Sequence, residues 1–416
     1  MNPLIVKAVV IAIMVLSYGF SLLVSLLNIT HRRPGIDASL ADFVDAEKYQ
    51  RLLSYNNEKS RLALWEGLAS FAVLLVFLLL DGPGRLDSAL ANLLPYQKLR
   101  AILFFGILAL ASGMASLPFS LYHDFSLEAR YGFNTKTLGI YISDTIKGMI
   151  LGALFGGGIL YLLLLCIDVF GAQFWFIFAI ILFVITLAVS SLYTTLILPL
   201  FNKLTPLEDG ELKTAIQALA EKTSFPLSGI YVMNASKRSK KSNAFFSGLG
   251  RFKKIVLFDT LIEKHPVDEI VAVLAHEVGH YKKHHVPYSS LLSALSIFVT
   301  MAVFSLLVHS RSLSLAFGAA DTQVHINLLA FFLLYEPLSL LMNIGTNIIS
   351  RRFEYQADAY AGQAASAESA SRALKRLFAD NLSDLYPHPL YVFVNYSHPP
   401  LLARLGALKS KSQNKK

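Results

Sequence analysis

Seven long apolar runs dominate the chain, at residues 4–27, 62–80, 101–121, 149–170, 174–200, 288–308 and 326–344. Each is close to the roughly 20 residues that cross a bilayer as a helix. The pattern therefore predicts an all-α polytopic membrane protein with about seven transmembrane helices. Glu336-Pro337 interrupts the last run, and polar residues thin the end of the third. The first run carries only Lys7 near its start and lacks a small-residue cleavage site, so it reads as a retained span and not a signal peptide.

The polar stretches between the runs differ in kind. Residues 30–61 show helical spacing in Phe43, Val44, Tyr49, Leu52 and Leu53, which predicts a short helical excursion. Residues 125–134 are too polar for lipid and too aromatic for a free loop, so they are expected to pack back onto the protein. The main polar segment, 201–286, has an amphipathic helix at 212–222 and short strands at 230–233 and 254–258. It reads as a small α+β domain between the fifth and sixth spans. After Ser350, helices at 351–363 and 364–378 precede a proline-broken segment and a basic tail expected to be disordered. The expected organisation is 1–200 for five spans, 201–286 for the polar domain, 287–346 for two further spans, and 347–416 for a helical C-terminal segment.

Within the polar domain lies Ala275-His276-Glu277-Val278-Gly279-His280. Residues four apart share one helix face, so His276 and His280 can hold one metal ion together. Glu277 follows the first ligand, where its carboxylate suits a general base. Two imidazoles plus an open position suit catalytic zinc. The flanks support a helix, with Pro266 at a first helical position, Asp268 and Glu269 in the first turn, and Lys282 to His285 at the far end. Pro287 is expected to stop or kink it. Gly279 costs about 1 kcal/mol in a helix interior relative to Ala, which points to something packed closely against it.

Composition sharpens the setting. The chain of 416 residues is 54% hydrophobic and 16% charged, with a net charge of +9. Five of the 37 Lys and Arg (Lys7, Arg85, Lys98, Arg100 and Arg311) lie on the side of the N-terminus, and the other 32 on the opposite side. That opposite, basic side, with the metal motif and the C-terminus, is expected to be cytoplasmic. The charge thus reads as topology. The basic residues are spread over several loops, so nucleic-acid binding is not indicated. The single cysteine, Cys166, sits in an apolar run and reads as packing.

A catalytic zinc usually takes three protein ligands. Glu336, Glu354, Asp358, Glu368 and His398 are candidates for the third. Glu354 and Asp358 are four apart, so one can bind metal while the other accepts a hydrogen bond from a ligating histidine. By spacing alone the better reading is an acidic pair on a solvated helix beside Arg351 and Arg352.

Several ordered blocks decide the matter. His276-Glu277-x-x-His280 and Asn347-x-x-Ser350-Arg351-Arg352-x-Glu354-x-Gln356-Ala357-Asp358 are accompanied by Gly132-Phe133-Asn134, Leu200-Phe201-Asn202-Lys203, Ser236-Lys237-Arg238-Ser239, Ser242-Asn243-Ala244 and Val256 to Leu261. Ser397-His398-Pro399-Pro400 and Arg404 complete the set. On these the chain resembles the type I CAAX prenyl proteases, multi-spanning zinc metalloendopeptidases of the gluzincin type that trim the ends of prenylated proteins. The resemblance implies one zinc per chain held by His276, His280 and Glu354, with Glu277 as general base. It implies that His398 hydrogen-bonds the developing oxyanion or the substrate backbone, that Arg404 positions it or the substrate, and that Asp358 and Asn347 support the ligands. Asn243, Ala244 and Phe245 would align a polypeptide substrate, prenylated or otherwise membrane-associated. The implied architecture is a barrel of helices around a chamber, which gives His123, Asp124 and Glu336 a place away from lipid.

Two features depart from the family pattern. Lys240-Lys241 precedes Ser242-Asn243 where a smaller residue or a histidine is usual, which would change the charge of the groove. Lys415-Lys416 lacks the spacing of a retrieval signal, leaving a bacterial inner membrane and an endoplasmic reticulum membrane as alternative settings. Two other functions are weighed against this one. A heat-shock-type membrane quality-control metalloprotease shares the motif but usually has about four spans. A non-catalytic zinc-binding scaffold or transporter would have no use for Glu277.

Overall fold

The computed structural model describes residues 2–32, 35–36, 40, 43–248 and 253–413. All seven apolar runs fall in helices: α1 (Pro3–His31), α2 (Ala46–Leu79), α3 (Gln97–Tyr122), α4 (Leu138–Phe170), α5 (Phe174–Leu192), α8 (His285–Leu307) and α9 (Val324–Ala364). By length and apolar content, six segments of the described residues are candidate spans, because α4 and α5 belong to one helical run, Leu138–Phe201, of 64 residues. Straight, that run would reach about 95 Å, three times the hydrocarbon thickness of a bilayer. It turns instead at Gly171, whose φ of 50° opens a single 3₁₀ turn, Gly171–Gln173. Its halves then pack on each other around Leu163, Cys166, Ile167, Phe174 and Phe178. Large apolar side chains stay bare on the outer faces, among them Leu16 at 72% exposure and Leu306 at 79%. Such surface is stable only against lipid.

Three expectations need correction here. Glu336-Pro337 does not interrupt the last span; Pro337 lies inside the continuous 41-residue α9. A membrane helix tolerates the lost hydrogen bond when neighbouring groups satisfy the freed carbonyl. The separate helix expected at 351–363 is the same α9, running on out of the span. The tail is helical as far as Gln413 (α11, Leu401–Gln413), and Lys415 and Lys416 lie outside the described residues. The helical excursion at 30–61 is the first turns of α2, capped by Asp45, whose carboxylate accepts from Lys48 N at 2.7 Å. Phe43 and Val44 precede it.

The polar domain carries α6 (Glu211–Lys222), α7 (Val267–Lys282) and a four-stranded sheet of β1 (Leu204–Pro206), β2 (Leu227–Met233), β3 (Ala244–Ser247) and β4 (Lys253–Phe258), in the order β1-β2-β4-β3. Only β2 and β4 run parallel. Composition anticipated β2 and β4; the short β1 and β3 exist because their neighbours supply the ladder. Among the described residues β3 is an edge strand, paired with β4 alone.

Residues 125–134 do pack back. A π-helical turn, His123–Glu128, ends α3 and buries Glu128, whose Oε2 accepts from Lys241 Nζ at 2.7 Å. Lys241 also donates to Tyr55 Oη at 2.9 Å. Its charge is therefore spent on Glu128 and does not enter the groove, contrary to expectation. His123 and Asp124 pair with each other at 3.0 Å, and Lys136 donates to Asp124 at 2.6 Å. Glu336 is exposed and lines no part of the cavity described below.

Candidate active site

Helix α7 holds the metal motif and packs along α9. Pro266 caps α7 instead of starting it, and Pro287 stands in the first turn of α8, where its missing N–H is harmless. Gly279 lies at the closest approach. A Cβ there would meet Ala357 Cα at 3.0 Å and Ala357 O at 3.1 Å. The glycine brings His276 and His280 of α7 within reach of Glu354, one turn before Ala357 on α9. Helix α10 (Ala367–Asp380) fixes the other end of α7, where Arg376 donates to the buried Glu269 at 2.8 Å and Ser369 to Asp268 at 2.7 Å.

His276, His280 and Glu354 converge. The two Nε2 atoms are 3.2 Å apart, and they stand 3.4 and 3.3 Å from the Glu354 oxygens. A tetrahedral edge is about 1.63 bond lengths, so zinc–nitrogen bonds of about 2.0–2.1 Å put neighbouring ligands about 3.3–3.4 Å apart. The three separations are of that size, with the two histidines facing different oxygens of the Glu354 carboxylate. Glu354 Oε2 is buried without a hydrogen-bond partner, with the Arg404 guanidinium 3.5 Å away, so it has a lone pair to offer a metal ion. Among the described residues, this is the one group of histidine, cysteine and carboxylate side chains arranged to take a metal. The donor set fits.

The supporting shell sets the ligands' protons. Asp358 Oδ1 lies 2.9 Å from His276 Nδ1, and an ionised carboxylate can only accept, so Nδ1 carries a proton and Nε2 is the nitrogen left to bind a metal. Arg404 forks onto Asp358 at 2.8 and 2.6 Å and is itself buried. Burial opposes the charge on Arg404, but Asp358 outweighs it and raises its affinity for the proton. Burial likewise opposes a charge on His276, yet the Asp358 and Glu354 carboxylates beside it outweigh it and hold its pKa up at about 9. Glu277 is pushed above the ordinary carboxylate range by burial and accepts no hydrogen bond from a described residue. That leaves its carboxylate free.

These groups line a cavity of about 660 Å³ that Asn243, Ala244 and Phe246 also border. Ala244 and Phe246 set the edge strand β3 beside this space. Asn243 is exposed there, with Oδ1 turned to Ala244 N at 2.8 Å. Phe245 departs from expectation: side chains alternate along a strand, and it packs on the opposite face against Met233, Val256 and Phe258. His398 Nε2 lies 3.3 Å from Glu354 Oε1, and the Ser397 hydroxyl is 2.9 Å from its Nδ1. Arg404 borders the cavity but makes no contact with His398; its guanidinium acts on Asp358, His276 and Glu354. Asn347 is not beside the ligands either. It donates to Val394 O at 2.9 Å and, with Arg351 donating to Val392 O at 3.1 Å, anchors the helix Pro389–Asn395 that leads to His398.

Sequence reasoning missed His285 and Gln356. His285 Nδ1 is 3.0 Å from His280 Nδ1, and its Nε2 is 2.9 Å from Gln356 Oε1. The signal was available in part, since Gln356 belongs to the block that carries Glu354, but His285 read only as helix-end charge.

A His-His-Glu set spaced to take a metal, with a free carboxylate beside it, on a polar-domain helix packed against one that runs out of a membrane span, defines a membrane metallopeptidase. Comparison with known proteins agrees. Residues 25–203 match the family model described as CAAX prenyl protease N-terminal, five membrane helices, and residues 206–412 match peptidase family M48. The chain belongs to this family: it is a multi-pass membrane metalloendopeptidase with a polypeptide substrate. It is 36% identical to CAAX prenyl protease 1 of Saccharomyces cerevisiae, over 91% of this chain and 89% of the yeast protein. It is 33% identical to the Homo sapiens homolog, over 91% and 90%. The crystal structure of S. mikatae Ste24p superposes with a TM-score of 0.92 at 34% identity, covering 97% of this chain and 99% of that one. These relatives are eukaryotic, and nothing in them supports a bacterial origin. The match to a five-helix membrane domain also leaves no support for the heat-shock-type alternative.

Proposed function

We propose that this protein is a zinc-dependent endopeptidase that cleaves near the C-terminus of prenylated polypeptides at the cytoplasmic face of its membrane. The observation that carries the reading is the convergence of His276, His280 and Glu354 at tetrahedral spacing, with Glu277 free in the same cavity. One zinc per chain would sit on those three residues. Bound there, zinc supplies a water whose pKa is about 7 and a Lewis acid for the scissile carbonyl.

The chain's own residues do the rest. An extended substrate adds to the free edge of β3, with the Asn243 amide directing its backbone. Glu277 takes the proton of the attacking water and passes it to the leaving amine; its raised proton affinity suits it to both transfers. His398 turns its Nε2–H from Glu354 toward the oxygen that becomes negative. Arg404 and Asp358 hold His276 in its ligating tautomer.

The names of the relatives support the prenylated substrate class, and the basic loops support the cytoplasmic placement. Purified protein should cleave a farnesylated CAAX peptide, lose activity to a chelator, and regain it with zinc. Cleavage that survives chelation, or full activity in Glu277→Gln, would refute the mechanism. Labelling of cysteines introduced singly into a Cys166→Ala background checks the orientation; a periplasmic or lumenal C-terminus would reverse it.

A further inference from the structure

We infer that His285 and Gln356 are positioning residues that fix which nitrogen of His280 is free to bind metal. The inference rests on the metal site proposed above and extends it to two side chains outside the ligand set, of which His285 also borders the cavity.

The chain reaches this arrangement through a sharp turn. Helix α7 ends at Lys282, and His284 adopts a left-handed conformation with φ of 57°, uncommon for a residue with a Cβ. Helix α8 starts at once with His285. The turn swings the His285 ring back under α7, where it is 3% exposed and stacked on Phe353 at 4.1 Å with an 8° tilt. Phe353 and Gln356 lie on α9 beside Glu354. All three helices therefore meet at this ring.

The protons follow from the geometry. The Nε2 atom of His280 faces Glu354 and His276 Nε2, so it is the nitrogen that must offer its lone pair. Its Nδ1 then carries the proton. That proton points at His285 Nδ1, 3.0 Å away, which must accept it and so be bare. The His285 proton is left on Nε2, which donates to Gln356 Oε1 at 2.9 Å, an amide oxygen that can only accept. Each step has a single consistent assignment once the metal side is set. His276 is held through its Nδ1 by the Asp358 carboxylate; His280 is held through its Nδ1 by a neutral imidazole and an amide. His285 is no alternative ligand, because its Nδ1 faces the far side of the His280 ring.

The test measures zinc affinity of the full-length protein in lipid nanodiscs by competition with a chromophoric chelator, and Co(II) binding by its visible spectrum. His285→Phe keeps the stack on Phe353 and removes both nitrogens; zinc affinity should fall about 10- to 100-fold, with a weakened Co(II) ligand-field band. His285→Asn places an amide oxygen near the lost Nδ1 acceptor and should recover most of the affinity, a rescue that packing alone does not give. Gln356→Met removes the terminal acceptor and should weaken zinc in the same direction. His280→Ala serves as the reference. If His280→Ala loses zinc while His285→Phe binds as wild type, the relay is wrong and the metal site stands. If His280→Ala also binds as wild type, the ligand assignment falls and takes the relay with it. Should His285→Phe fail to fold, Gln356→Met decides, and wild-type affinity there overturns the proposal.

Discussion

Gly279→Ala is the smallest change that tests how the site is assembled. The new Cβ would stand 3.0 Å from Ala357 Cα, 3.1 Å from Ala357 O and 3.1 Å from Tyr360 Cβ. Carbon contacts are at their best near about 3.5–4.0 Å, so α7 and α9 must part by roughly half an ångström. Two of the three obstructing atoms are backbone and cannot rotate away. His280 adjoins Gly279 and Glu354 lies one turn from Ala357, so the 3.3 Å edge between them should open by a similar amount. Preorganised sites tolerate about 0.5 Å. Global stability responds differently. Overpacking costs about 1–3 kcal/mol, and alanine's better helix propensity offsets about 1 kcal/mol, leaving a net loss of about 0–2 kcal/mol. Thermal melting of the metal-free protein should therefore move little, while zinc affinity falls about tenfold or more and kcat/KM about 10- to 100-fold. Melting, chelator competition and peptide cleavage on one preparation separate the two effects. Wild-type zinc affinity and kcat/KM in Gly279→Ala would refute the claim that this contact sets the ligand spacing.

Three further outcomes are expected. Glu277→Gln should keep zinc affinity and melting temperature while kcat drops about 10²- to 10⁴-fold; a matching loss of zinc would make Glu277 a ligand instead of a base. Asp358→Asn leaves the buried Arg404 without its bidentate partner and should destabilise the fold by about 3–5 kcal/mol in denaturant melts, so an unchanged midpoint would show that the pair is not needed. With the metal-free His276 pKa held up at about 9, zinc must displace a proton throughout the range below that value. Zinc affinity should thus rise about tenfold per pH unit as pH climbs toward 9 and level off above it. Calorimetric titration in buffers of differing ionisation enthalpy counts the released proton, and a pH-independent affinity would contradict the assignment.

What the sequence determined by itself is what local periodicity and residue chemistry encode. The apolar runs dictated membrane helices, because about 20 apolar residues have nowhere else to go. The four-residue spacing of His276 and His280 dictated a shared helix face, and Gly279 announced a close neighbour that proved to be α9. The ordered blocks pointed to the family and to Glu354.

Tertiary structure decided whatever depends on which segments meet. No local signal makes Ala244–Ser247 a strand; β4 does, by offering a ladder beside the cavity. Pattern alone could not say that Phe245 turns away from the groove, that Lys241 is neutralised by Glu128 across 113 positions, or that Asn347 holds the segment before His398. The same holds for His285, whose role depends on a left-handed turn at His284 and on Gln356 arriving from another helix. Hydrophobic period selects elements and faces, whereas proton positions and ligand edges of 3.2–3.4 Å follow from long-range packing.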